Sequence, residues 1–227
     1  MINNMLATDT LENINVRTER SEKRFTIMGV EFVYLYLFGI GVAGLGWIAE
    51  NTAKFVAQGI IDSRFHLLPF ISPYALVPFA FCILLGDPDR IAPFGFRLFK
   101  NDSTGTRVAS NLLSLFLICA AVFLGELVIG NMWESLFGVE LWNYSDFPLQ
   151  VTQYAGLIPT LGYGGGAYLL FRFVYKPLLK QIRKIDYNVA KAVCSTLGVL
   201  IILDTCMMGL HIAVVGEAPV YWQLILR

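Results

Sequence analysis

Asn111–Asn131 reads NLLSLFLICAAVFLGELVIGN, twenty-one residues with one carboxylate and no base. At ~1.5 Å per residue a helix of that length crosses the ~30 Å hydrocarbon core of a bilayer. Four further stretches share its texture, at roughly Thr26–Ala49, His66–Gly86, Tyr154–Phe171 and Ala192–Val215. Fourteen of the seventeen Lys and Arg residues lie before the first stretch, between the second and third, or between the fourth and fifth. The opposite connections hold only Lys54 and Arg64, and Arg227 follows the last stretch. Basic residues near span ends stay on the cytoplasmic side. The expected fold is therefore an all-α polytopic membrane helix bundle with five spans, N-terminus in and C-terminus out. The expected location is the cell inner (cytoplasmic) membrane, as a multi-pass protein. Residues 1–25 read as a polar cytoplasmic tail, 26–215 as one transmembrane domain and 216–227 as a short extracytoplasmic tail.

Composition agrees. Hydrophobic residues make up 56% and charged residues 15%, with a mean hydropathy of +0.61. A soluble globular domain has a different balance. The basic residues flank spans instead of lining a groove, so no nucleic-acid partner is expected. Residues 1–25 lack the apolar segment of a cleavable signal peptide. Cys82, Cys119, Cys194 and Cys206 all fall within spans and form no CxxC pair, so they read as small apolar packing residues. No metal site and no cofactor is expected.

Two spans are rich in glycine. Small residues let helix backbones approach closely, so Gly44 and the Gly162/Gly166 pair are expected to mark packing faces. The GYGGG stretch at 162–166 lacks the following Gly-Lys-Ser/Thr of a phosphate loop. Pro69, Pro73 and Pro78 remove backbone donors from the second span. Phe65–Pro78 is expected to be a kinked helix, or else Pro-broken or re-entrant, which requires protein or a cavity to satisfy the freed backbone.

The third connection, Met132–Gln153, holds three acids, no base and several aromatic residues. Trp133, Trp142, Tyr144 and Phe147 suit the membrane interface. An amphipathic surface segment through Trp133–Phe137, turning at Gly138, is expected between spans three and four; a wall for a binding site is the other reading.

Ionisable residues within spans cost about 3 kcal/mol each near the bilayer centre and so point to function. Glu126 and Asp204 are the deepest. The expected topology puts Glu50, His66, Glu126, Glu134 and His211 in the outer half of the membrane, with Glu31 at the inner end. No Lys or Arg lies deep in any span, so these acids are expected to be protonated, solvated, or paired with His66 or His211. Glu126 is expected to face the bundle interior and to draw donors from Trp142, Tyr144 and His66.

The same residues carry a family resemblance. Glu126–Pro148, ELVIGNMWESLFGVELWNYSDFP, resembles the signature of the type IV ABC-transporter permease family. The matching positions are Glu126, Gly130, Glu134, Phe137, Gly138, Trp142, Tyr144, Ser145 and Pro148. GLGWIAE (Gly44–Glu50) resembles that family's first span ending, and PFISPY (Pro69–Tyr74) its Pro-Phe…Tyr segment. Asn143, Leu68 and Gln150 depart from the pattern. The resemblance implies a small transport-related subunit, and the lack of any ATP-binding motif implies a separate ATP-binding subunit.

The ligand-binding or functional candidates are thus Glu50, His66, Glu126, Glu134, Trp142, Tyr144, Asp204 and His211. The leading reading is a permease-like subunit with an outward-facing polar pocket. Two alternatives stand beside it. One is a membrane enzyme using Glu, Asp and His as acid and base on a lipid or isoprenoid-type substrate. The other is a non-catalytic partner in a membrane assembly.

Overall fold

In the computed structural model, residues 24–99 and 103–226 are described. Arg17, Arg20, Lys23, Lys100 and Arg227, which enter the charge pattern, lie outside them. The chain is mostly helical. Among the described residues three helices are long and apolar enough to cross a membrane: α1 (Phe32–Gln58), α3 (Thr104–Phe137) and α6 (Tyr187–Val215). Between them lie a shorter apolar helix, α2 (Ser72–Leu85), and the pair α4 (Leu157–Leu169) and α5 (Lys176–Ile182).

Exposed side chains mark the lipid-facing surfaces. Phe116, Leu124, Val128 and Leu136 on α3 are exposed, as are Ile202, Leu210 and Val214 on α6. Such stripes would drive aggregation in water and need no cover in hydrocarbon.

Helix boundaries follow capping chemistry. Ser103 Oγ accepts from Thr106 N at 3.2 Å, and Asp186 accepts from Asn188 N and Val189 N at 2.9 and 3.2 Å. α3 stops at Gly138, whose φ of 69° is left-handed backbone that a residue without a Cβ adopts at least cost. α3 therefore runs unbroken through Trp133–Phe137, and the expected surface segment is instead its last turns. α1 likewise runs beyond the expected end at Ala49. Nothing in Glu50–Gln58 breaks a helix, and termination waits for Gly59 at φ 69°. Glu50 consequently lies two turns inside the helix.

The second apolar run is not a continuous helix. Residues 63–71 carry no regular helix, and α2 then passes from 3₁₀ (Ser72–Leu76) through α (Val77–Ala80) to π (Phe81–Leu85). Pro73 and Pro78 stand in the opening turns of the 3₁₀ and α parts, where a missing N–H leaves no gap. The irregular stretch lies along α1, and Ile71 N donates to Ala43 O at 3.2 Å, midway down that helix. Protein thus surrounds the backbone that membrane depth would otherwise leave unpaired.

Three two-stranded ribbons finish the ends. β1 (Thr26–Ile27) pairs with β2 (Val30–Glu31), and β4 (Gly86–Asp87) with β5 (Arg90–Ile91). β3 (Ile60–Asp62), just after α1, pairs antiparallel with β6 (Gln223–Ile225), with Ile61 opposite Leu224. The residues after α6 therefore return to the far end of α1.

The core lies where α1, α2 and the α4–α5 helix meet. Leu35, Phe38, Phe81, Leu85, Phe171 and Tyr175 are buried there. Phe81 packs on Phe171 and Tyr175 with ring centroids 5.1 and 5.7 Å away. The glycine expectation needs correction. Gly162 and Gly166 face open space, whereas a Cβ on Gly164 would stand 3.1 Å from Cys119 Cα of α3. Spacing of four finds a small face, yet the residue between the pair is the one turned to the neighbour. Gly44 makes only ordinary contact, 3.4 Å from the Phe70 ring.

Candidate functional site

Glu50 is the hub of a half-buried polar cluster at the far end of α1. Its Oε2 accepts from Arg64 Nη2 at 2.7 Å. Its Oε1 accepts from the hydroxyls of Tyr74 and Tyr163, each at 2.9 Å. These three donors come from the irregular segment, α2 and α4 respectively. Glu126 on α3 approaches from the other side, and its Oε1 accepts from Tyr144 OH at 3.0 Å. Glu126 Oε2 is buried without a hydrogen-bond partner among the described residues, as are Trp47 Nε1 and Arg64 Nε. Tyr144 feels both carboxylates and Tyr163, which makes the two halves one electrostatic unit. Burial first, and then the Glu126 charge, push the Tyr144 hydroxyl well above the usual phenol range. Tyr144 therefore stays protonated and keeps donating.

Arg64 is aimed by a strained turn. Arg64 and Phe65 have φ of 50° and 70°, the left-handed region that non-glycine residues rarely occupy. Each such residue costs about 1–3 kcal/mol and persists only where its surroundings impose it. Here they do. Asp62 Oδ1 accepts from Arg64 N at 3.0 Å, Asn51 Oδ1 accepts from Asp62 N at 2.9 Å, and Lys54 pairs with Asp62. Below the turn, buried Asp204 accepts from Leu67 N at 2.9 Å and Leu68 N at 3.2 Å. His66 Nδ1 stands 3.4 Å from Asp204, beyond a well-formed hydrogen bond. Asp204 thus clamps the irregular segment to α6.

The remaining candidates divide. Glu134 accepts from Gln153 Nε2 at 3.1 Å, and Trp142 Nε1 donates to Tyr154 O at 3.1 Å. The first holds the third connection to the end of α3, and the second closes the connection on itself. His211 lies against Tyr221, ring centroids 6.4 Å apart, and has no place in the Glu50–Glu126 cluster. Of the three donors expected for Glu126, Tyr144 reaches it; Trp142 donates to Tyr154 instead, and His66 lies beside Asp204. The expectation that the acids lack a basic partner is overturned for Glu50 by Arg64, which the irregular segment carries back to α1. Tyr74 and Tyr163 were also missed, although each is a hydroxyl inside an otherwise apolar run. No group of three or more His, Cys, Asp or Glu suited to a metal occurs among the described residues.

A helical membrane protein with a carboxylate pair held among tyrosines is the class that fold and site define. The chain belongs to the type IV ABC-transporter family: the family model described as "Putative ABC-transporter type IV" matches residues 35–208. That span includes every member of the cluster. No curated protein and no solved structure matches the chain.

Proposed function

We propose that this chain is the membrane subunit of a transport system in the cytoplasmic membrane, with five crossings, N-terminus in and C-terminus out. The Glu50–Glu126 cluster is its polar pocket and opens toward the outer face. One observation carries this reading. Four polar side chains from different segments converge on two carboxylates, yet Glu126 Oε2 keeps an unused acceptor among them. Structural networks buried in apolar surroundings satisfy their members; a binding site leaves a group for its ligand. Family membership supports the transport role, and a separate subunit supplies ATP hydrolysis. The lipid-enzyme reading gains less, because neither His66 nor His211 stands beside the carboxylate pair.

The test is purification of the tagged chain from its native membrane in mild detergent. A nucleotide-hydrolysing subunit should remain bound in fixed stoichiometry, and Glu126→Gln should leave that assembly intact while uncoupling ATP turnover from transport. A chain that purifies alone from membranes containing its full complement of partners refutes the transport-subunit reading.

A further inference from the structure

A second cavity, of about 560 Å³, opens at the opposite, basic end of the bundle. Its size falls within the ~300–1,000 Å³ of small-molecule sites. Cys82, Tyr175 and Leu179 form an apolar wall, and Lys176, Lys180 and Arg183 stand around it, with Asp87 the one carboxylate in the lining. Both π-helical segments, Phe81–Leu85 and Leu170–Tyr175, end against this space, contributing Cys82 and Tyr175. π-turns are rare and recur at functional sites. Met28, also in the lining, has φ of 50° although it is not glycine. The cavity is therefore shaped by backbone departures on three separate segments.

Its charges are unequal. Lys176 is engaged by Asp87 and Asp89, and Arg183 stands 3.6 Å from Glu31. Lys180 is exposed and pairs with no described residue. Among the described residues the cavity thus offers one cation without a partner, a second held loosely, and an apolar wall directly below them. A soluble anion would use only the cations. An amphiphile with a phosphate and a hydrocarbon root uses both, at the depth where basic pockets between helices meet headgroups. We propose that this cavity holds an anionic phospholipid, its phosphate against Lys180 and Arg183 and its first methylenes against Tyr175 and Leu179.

The test places the whole chain in nanodiscs of phosphatidylcholine with graded phosphatidylglycerol, read by lipid retention in native mass spectrometry and by thermal unfolding. The wild type should retain phosphatidylglycerol and unfold later as its fraction rises. Lys180→Gln should lower that retention about fivefold while unfolding unchanged in pure phosphatidylcholine. Lys180→Gln/Arg183→Gln should abolish it; if that variant does not fold, the single substitution decides. Undiminished retention by Lys180→Gln overturns the proposal. So does equal retention of phosphatidylcholine, or an equal thermal shift from inorganic phosphate in neutral discs.

Discussion

Arg64 donates to Glu50 across 2.7 Å although fourteen residues and the end of α1 separate them. The pair exists because the chain leaves α1, turns through two left-handed residues and comes back along it. Glu50 is thereby the only member of the carboxylate pair with a permanent positive partner among the described residues.

Arg64→Gln should remove that charge and leave Glu50 with its two tyrosine donors. The pair is partly exposed, so the expected loss is about 1–3 kcal/mol, well below that of a fully buried ion pair. Thermal unfolding in detergent measures it. If Glu50→Gln/Arg64→Gln is more stable than either single variant, the coupling is established; additive effects would show that the contact contributes nothing.

Close packing of α4 on α3 predicts a contrast between two glycines. Gly164→Leu must displace Cys119 and should cost about 1–3 kcal/mol or more, seen as a lower yield and melting temperature. Gly166→Leu, which meets open space, should leave both unchanged. Equal damage from the two substitutions would contradict the described α3–α4 contact.

Tyr144 is the sole donor to Glu126 among the described residues. Tyr144→Phe leaves both Glu126 oxygens unpaired and should loosen the third connection, raising hydrogen exchange across residues 138–156. Glu126→Leu should loosen it similarly, whereas Glu126→Gln keeps an acceptor and should not. Unaltered exchange in Tyr144→Phe would remove Tyr144 from the site.

Topology is tested by reporters. A phosphatase fused after residue 227 should be active in the periplasm of a Gram-negative host, following the fourteen-to-three distribution of basic residues. A reporter active there only in the cytosol means an even number of crossings.

Acidification should release the β4–β5 hairpin at the basic end. The hydrogen bond from Lys176 is the main cause holding the Asp89 carboxyl below its ordinary range. A folded-state pKa below the unfolded one gives stabilisation that is present above the unfolded value and lost as pH falls through the folded value. Exchange at residues 86–91 should therefore stay flat near neutrality and rise only at strongly acid pH; Lys176→Gln should move that rise upward. The pair is exposed, so the effect should also weaken with salt.

Apolar length and charge made the three long helices legible, and the Glu126–Tyr144 pair followed from a compact local motif. The site's other half did not. Arg64 counts as an ordinary connection residue until the backbone is known to double back, and no residue type advertises the left-handed turn at Arg64–Phe65. The pairing of β3 with β6 joins segments far apart in the sequence, each too short to show a period. The packing glycine was missed for a subtler reason: spacing identifies a face without saying which side of it meets a neighbour.

The β3–β6 ribbon also ties the site to a remote segment of the chain. Gln223–Ile225 follow α6, and Asp62 gains its strand partner only from them. Asp62 in turn holds the turn that aims Arg64 at Glu50. The pocket therefore leans on a segment far along the chain, and removing Gln223–Ile225 should free the turn that aims Arg64 without dislodging the long helices.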